Sequence, residues 1–236
     1  MEYKLLLELL RGCCDDIICY DTIGSTNTAL KEIALSGAPT PMLVTADKQT
    51  AGKGSRGRSF YSPAAGAYFS VLIPAENLSI VTPTAAVATA EAVDSMFDVH
   101  CGIKWPNDVL LVDKKISGIL AETSGGFTVL GIGINVARDA FPDLANAGYI
   151  TEHAGAGVRE ALVASVVKLF LKYRYEHDYV LDRFKARSIL IGREVIVSVN
   201  GADTVTYIDD IDDEFRLVAR GFDKPLVSGE VSIYRS

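Results

Sequence analysis

Up to Ile191-Gly192 this chain of 236 residues alternates apolar runs of strand length with amphipathic helical stretches; beyond that point the helical period stops. "REVIVSV", "DTVTYIDDI", "FRLVAR" and "VSIYR" are short runs joined by turns, the pattern of a small β-barrel. The change of period fixes the organisation: a short segment 1–16, a larger domain 17–187 and a smaller β domain 188–236. The larger domain reads as α+β on a mixed sheet. Its strand-like runs are "IICYDTI", "PMLVTAD", "GAYFSVLIP", "CGIKW", "DVLLV", "KISGILAETS" and "GFTVLGIGINV", with Gly125-Gly126 as a hairpin turn between the last two. Ser25 or Thr26 is placed to cap a helix that Gly37 ends, and Thr82-Pro83 to start one that runs to about Met96. Leu162, Val166, Leu169, Phe170 and Tyr173 share one face of a long helix over Arg159–Val180.

Composition excludes several classes. Hydrophobic residues are 49% and charged residues 22%, ordinary for a globular chain. A formal net charge of -7 is opposite in sign to the footprint of a general nucleic-acid binder. No apolar run has the length of a membrane span, and "MEYKLLLELLRG" lacks the basic start and cleavage site of a signal peptide, so it reads as a short helix. Cys13, Cys14, Cys19 and Cys101 form no C-x-x-C pair, which predicts neither a zinc site nor a disulfide framework and points to a reducing cytoplasm.

Against that acidic background "QTAGKGSRGRSF", Gln49–Phe60, carries three cations and no acid. It is not a standard phosphate loop, because Gly54 stands where a Ser or Thr is required and Asp47 where the first Gly belongs. Its glycines still permit close backbone approach, and Lys53, Arg56 and Arg58 supply charge for an anion. The same composition also describes a solvated basic loop.

Four further stretches carry polar groups at strand ends. "GSTN", Gly24–Asn27, offers hydroxyls and an amide at a helix start, or plain capping. "KWPNDVLL" places Asn107-Asp108 at a strand entrance beside the only tryptophan. "KKISGILAE" starts a strand with Lys115, and "GIGINV" has small residues for close approach and ends its apolar run at Asn135. The last is not a dinucleotide fingerprint, since the third glycine and a following helix are missing.

These five stretches, in this order over about Ile17–Val136, resemble the biotin protein ligase family, and the C-terminal strands resemble that family's SH3-like domain. The resemblance implies a catalytic fold shared with lipoate ligases. It implies activation of biotin by ATP and Mg²⁺ to biotinyl-5′-AMP, then transfer to a lysine of a biotin carboxyl carrier protein. It puts Ser25, Thr26, Asn27 and Gln49 around the biotin ring, and Lys53, Gly54 and Ser55 against the adenylate in a loop that acts as a lid. Lys115 would bridge the biotin carboxylate and the phosphate. Asp108 would stand near the reacting phosphate with Arg56, either holding Mg²⁺ or orienting the incoming lysine, and Arg58, Asn107 and Asn135 would join Lys53 and Arg56 on the nucleotide. Lys104 either joins them or anchors the Trp105 turn. The chain departs from the family at Phe60, where a tryptophan is usual, and at Ser55, where an arginine is usual.

The resemblance allows a homodimer. Some members carry an N-terminal winged helix and repress transcription. Only sixteen residues precede the first strand here, so DNA binding is not expected. Two alternatives share the pattern: a lipoate- or octanoate-transferring relative, and a biotin-binding module without catalysis.

Overall fold

The seven strand-like runs of the larger domain pair into one mixed sheet in the computed structural model, which describes residues 1–14, 16–138, 147–199, 201–227 and 229–233. The strands are β1 (Asp16–Ile23), β2 (Met42–Gln49), β3 (Ala67–Pro74), β4 (Gly102–Lys104), β5 (Asp108–Leu111), β6 (Lys114–Ser124) and β7 (Phe127–Ile134), ordered β1-β2-β3-β7-β6-β5-β4. β1 and β2 are parallel, joined by the crossover helix α2 (Thr26–Leu35), and every other pairing is antiparallel.

Side chains alternate across the sheet, and the two faces differ. On one face Leu130, Ile132 and Ile134 of β7 join the main core with α1 (Tyr3–Leu9), α3 (Leu78–Phe97), α4 (Val158–Tyr173) and α5 (His177–Arg187). On the other, α2 lays Leu30 and Ala34 on Met42, Val44, Leu72 and Val129. Beyond that small core β7 presents Gly131 and Gly133, which pair with Leu120 and Gly118 of β6. Glycine there leaves this face of the sheet a low floor on which side chains from other segments can lie.

Two helices differ from the sequence expectation. α3 starts at Leu78 rather than at Thr82-Pro83, because Asn77 caps it: its side-chain oxygen accepts from Ser79 N at 3.1 Å. Pro83 then lies inside the helix. The single helix expected over Arg159–Val180 is two, α4 and α5. Its apolar period stays in phase through the break, since Phe170, Tyr173, Val180 and Phe184 are all buried. Pattern alone therefore does not mark the break at Glu176, whose φ of -118° and ψ of 55° are not helical.

The C-terminal strands are β8 (Glu194–Val199), β9 (Ala202–Ile211), β10 (Leu217–Ala219) and β11 (Glu230–Ile233). They form an antiparallel sheet ordered β10-β9-β8-β11, compatible with an SH3-like domain; among the described residues β10 and β11 do not pair to close it. Buried bonds tie it to the rest. Trp105 Nε1 donates to the Phe215 carbonyl at 2.7 Å, and Ile189 N to the Ile103 carbonyl at 3.0 Å. No helix among the described residues is long and apolar enough to cross a membrane.

Candidate active site

The glycine floor opens into a pocket lined by Ser25, Thr26, Asn27, Gln49, Lys53 and Lys115, with Gly54, Ser55 and Asn107 at its rim. The end of β1 and the end of β2 bring the first four together. Ser25 is the N-cap of α2, but its side chain makes no capping bond. Gln49 from β2 caps the helix instead: its Oε1 accepts from Thr26 N at 2.9 Å and from Thr26 Oγ1 at 3.1 Å. Gln49 Nε2 donates to Ser62 Oγ at 2.9 Å, which leaves one amide hydrogen for a ligand. The plain-capping alternative for "GSTN" is thus not made by its own side chains, and the Ser25 hydroxyl stays available.

Asn27 lies directly over Gly131. A Cβ at that position would sit 2.0 Å from Asn27 Oδ1, so only glycine admits the amide. Ser70 Oγ donates to that oxygen at 2.6 Å and also lies 2.8 Å from Thr26 Oγ1. Asn27 Nδ2 donates to the Leu120 carbonyl at 3.2 Å and to Glu122 Oε2 at 2.9 Å. Burial opposes the charge of Glu122, but hydrogen bonds from Lys31 and Asn27, with the charges of Lys31 and Lys53, outweigh it and hold its carboxyl below the usual range.

The basic loop is ordered as a small hairpin. Phe60 N donates to the Gly52 carbonyl at 2.8 Å and Gly54 N to the Arg58 carbonyl at 2.7 Å. At its tip Arg56 and Gly57 both have positive φ, 58° and 73°. Phe60 folds back over the floor, where Cβ atoms on Gly133 and Gly118 would lie 2.5 Å and 3.1 Å from its ring. The aromatic expected there is therefore a wall of the pocket, 5.9 Å from Lys115 Nζ to the ring centre. Arg58 pairs with Glu230 of β11, and Arg56 Nη1 stands 3.6 Å from the same carboxylate. The loop is anchored on the C-terminal sheet by these contacts. Glu230 carries no signal in the sequence, since it lies 172 residues from Arg58.

Lys115 reaches the pocket because of a β-bulge. Val109 pairs with Ser117, but Leu110 pairs with Lys115, so Ile116 is an extra residue on β6 and turns Lys115 toward the Gly118 face. The bulge is pinned by Asn135 N, which donates to the Ile116 carbonyl at 2.7 Å, and by Gly148 N, which donates to the Lys115 carbonyl at 2.8 Å. Lys115 Nζ is 2.6 Å from Asp108 Oδ1, an oxygen that makes no aligned hydrogen bond. Asn107 is less available than the sequence suggests, since its Nδ2 donates to the Ile119 carbonyl at 2.9 Å.

Past Lys115 the pocket opens into a wider cleft lined by Arg56, Arg58, Lys104, Asp108 and Glu230. Trp105 and Pro106 also line it, so Lys104 faces this cleft as well as adjoining the Trp105 turn. Asn135 lines neither space. Its Nδ2 donates to the Gly148 carbonyl at 2.9 Å, and its buried Oδ1 has no partner. Of the two cleft carboxylates named, Glu230 is paired with the loop arginines, so a divalent cation would meet Asp108, and the described residues hold no group of three or more metal-ligating side chains. That donor set fits Mg²⁺ arriving on a polyphosphate, which keeps most of its shell as phosphate and water. Lys115 lines both the hydrogen-bonding pocket and the cleft that carries Arg56, Arg58 and Lys104, an arrangement suited to bringing two anions together.

Comparison with known proteins fits this geometry. The profile of the Biotin/lipoate A/B protein ligase family matches residues 20–139. The chain is 34% identical to the bifunctional ligase/repressor BirA of Bacillus subtilis over 188 residues, 74% of this chain and 58% of that protein, so it spans under two thirds of that relative's length. It is 32% identical to the biotin–[acetyl-CoA-carboxylase] ligase of Mycobacterium tuberculosis over 211 residues, 82% of this chain and 79% of that one. Among solved structures, the biotin protein ligase of Aquifex aeolicus in complex with biotin and ATP superposes with a TM-score of 0.81 at 26% identity, covering 94% of this chain and 99% of that chain. From the motif order, the glycine floor and these matches together, the chain belongs to the biotin/lipoate A/B protein ligase family.

Proposed function

We propose that this chain is an ATP-dependent biotin–[biotin carboxyl carrier protein] ligase. The observation that carries the reading is the place of Lys115, at the junction of the polar pocket and the cationic cleft. A biotin carboxylate oxygen attacks the α-phosphorus of ATP, a phosphoric–carboxylic anhydride forms, and pyrophosphate leaves. The amine of a carrier lysine then attacks the anhydride carbonyl, an amide forms, and AMP leaves. Ser25, Thr26, Asn27 and Gln49 meet the cyclic urea, which needs donors and acceptors together. Lys115 holds the carboxylate and the α-phosphate and stabilises charge that grows in the transition state. Lys53, Arg56 and Arg58 take the remaining phosphate charge, Asn107 faces the nucleotide side, and Asn135, which lines neither space, acts there through the Ile116 bulge that its backbone N–H holds. Asp108 would hold Mg²⁺, which supplies charge neutralisation when bound with ATP.

A floor of glycines ringed by hydrogen-bonding groups fits a urea ring and not the apolar dithiolane of lipoate, which favours biotin within the family. The names of the relatives support the same substrate. The carrier belongs to a biotin-dependent carboxylase, and the active species is proposed to include a homodimer.

Ser55 stands where resembling enzymes have an arginine, and a hydroxyl lacks both charge and bidentate reach. Arg56 is proposed to compensate. It shares Glu230 with Arg58, the closer partner, so it can leave that carboxylate for the adenylate while Arg58 keeps the loop anchored. Arg56→Ala is therefore expected to speed release of biotinyl-adenylate by one to two decades, about the value of one charge-assisted hydrogen bond. Ser55→Arg is expected to be nearly neutral. Stopped-flow release from both variants checks this, and no acceleration in Arg56→Ala would remove the compensation.

A further inference from the structure

Asn27 and Lys31 are one helical turn apart on α2, so both point at the same stretch of β6. There they meet Glu122. One carboxylate oxygen accepts from Asn27 Nδ2 at 2.9 Å, and the other lies 2.5 Å from Lys31 Nζ. A carboxamide has two N–H donors and two acceptor lone pairs. For Asn27 both donors are spent, on Glu122 and on the Leu120 carbonyl, and one lone pair is taken by Ser70. What Asn27 has left is a single acceptor site. The reverse orientation would set its oxygen against two acceptors, Glu122 Oε2 and the Leu120 carbonyl. The Ser70 hydroxyl is indifferent, because it can donate or accept.

We propose that Glu122, held by Lys31, is a positioning residue that fixes the orientation of the Asn27 amide and so makes the pocket select a ring N–H donor at that point. This rests on the biotin reading, in which the ligand is a cyclic urea. Glu122 touches neither substrate nor the reacting atoms; it acts through Asn27. No short motif announces this role, because the pairing joins residues 95 apart in the chain.

The charge pattern gives a specific test. In Glu122→Gln, Lys31 still needs an oxygen, so the new amide turns its NH₂ toward Asn27. That arrangement favours the reversed Asn27 orientation. In Lys31→Met/Glu122→Gln the glutamine is released and can turn its oxygen back to Asn27. Calorimetric affinities would be measured for biotin and for its two cyclic carbamate analogues, each with one ring N–H replaced by oxygen. The wild-type protein is expected to reject one carbamate relative to biotin by about tenfold to a hundredfold, as for an acceptor left facing an acceptor. Glu122→Gln should bring that ratio near unity and raise the KM for biotin while kcat for adenylate formation stays close to wild type. The double variant should restore the ratio, a rescue that a merely structural role does not produce. A wild-type ratio in Glu122→Gln, or no recovery in the double variant, overturns the assignment. If Glu122→Gln does not fold, Lys31→Met alone decides: the carboxylate still faces Asn27, so the ratio should persist, and its loss overturns the proposal. A wild-type protein that binds none of the three ligands instead refutes the biotin reading, and the assignment falls with it.

Discussion

Replacing Lys115 with alanine is expected to slow formation of biotinyl-adenylate by about 10²-fold or more while leaving biotin binding measurable, the pattern for loss of a donor that acts mainly in the transition state. The expectation rests on three features of the site. The bulge at Ile116 turns the side chain toward the Gly118 face of the sheet. Asp108 holds Nζ at 2.6 Å, which keeps it directed before substrates arrive. In the proposed reading the ring of biotin is held elsewhere, by Thr26, Asn27 and Gln49, so the ground state loses little. Single-turnover formation of the adenylate at the wild-type rate in Lys115→Ala would contradict the role given to this residue. A large rise in the dissociation constant of biotin with an unchanged chemical rate would move Lys115 from the reacting phosphate to the ring site.

Gly131→Ala is expected to weaken biotin binding by about tenfold to a hundredfold, through the geometry of Asn27 and not through any contact of its own. The new methyl would stand 2.0 Å from Asn27 Oδ1 and 2.7 Å from Asn27 Cγ. Asn27 is 4% exposed and held by bonds to Ser70, Leu120 and Glu122, so it cannot swing clear without breaking that set. The strand can yield only with β6 and β3, since β7 is paired on both sides. A loss of stability of about 1–3 kcal/mol accompanies such overpacking. Titration of biotin into the folded variant, with its melting temperature recorded alongside, separates the two effects. Biotin affinity equal to wild type would mean that Asn27 is not part of the ring site.

The sequence made the strands legible because each is a short apolar run ended by turn residues, and all seven of the larger sheet appear where the pattern put them. It made most of the site legible too, for a local reason. Ser25, Thr26 and Asn27 sit at one strand-to-helix junction, and Lys115 marks the start of a strand, where polar residues have little structural cause. What it did not disclose is non-local. The bulge that aims Lys115 is a mismatch between two strands, and no single strand records it. Gln49 capping α2, Glu122 facing Asn27 and Glu230 holding the loop arginines are contacts between distant segments. Asn107 and Asn135, read as ligand contacts, also have structural bonds to Ile119, Ile116 and Gly148, which no local pattern announces. The α4–α5 break escaped because its apolar period is continuous, and only the polar stretch 174–178 marks the place where the backbone turns.

The central claim, biotin activation followed by transfer, is tested most directly by incubating the protein with labelled biotin, ATP, Mg²⁺ and a biotin carboxyl carrier domain. The account predicts label joined by an acid-stable amide to one lysine of the carrier, with pyrophosphate and AMP released in equal amount to the biotin transferred. Omitting biotin should abolish pyrophosphate release, and lipoate should not replace it. Binding of biotin with no pyrophosphate release, or transfer of lipoate in preference to biotin, would contradict it.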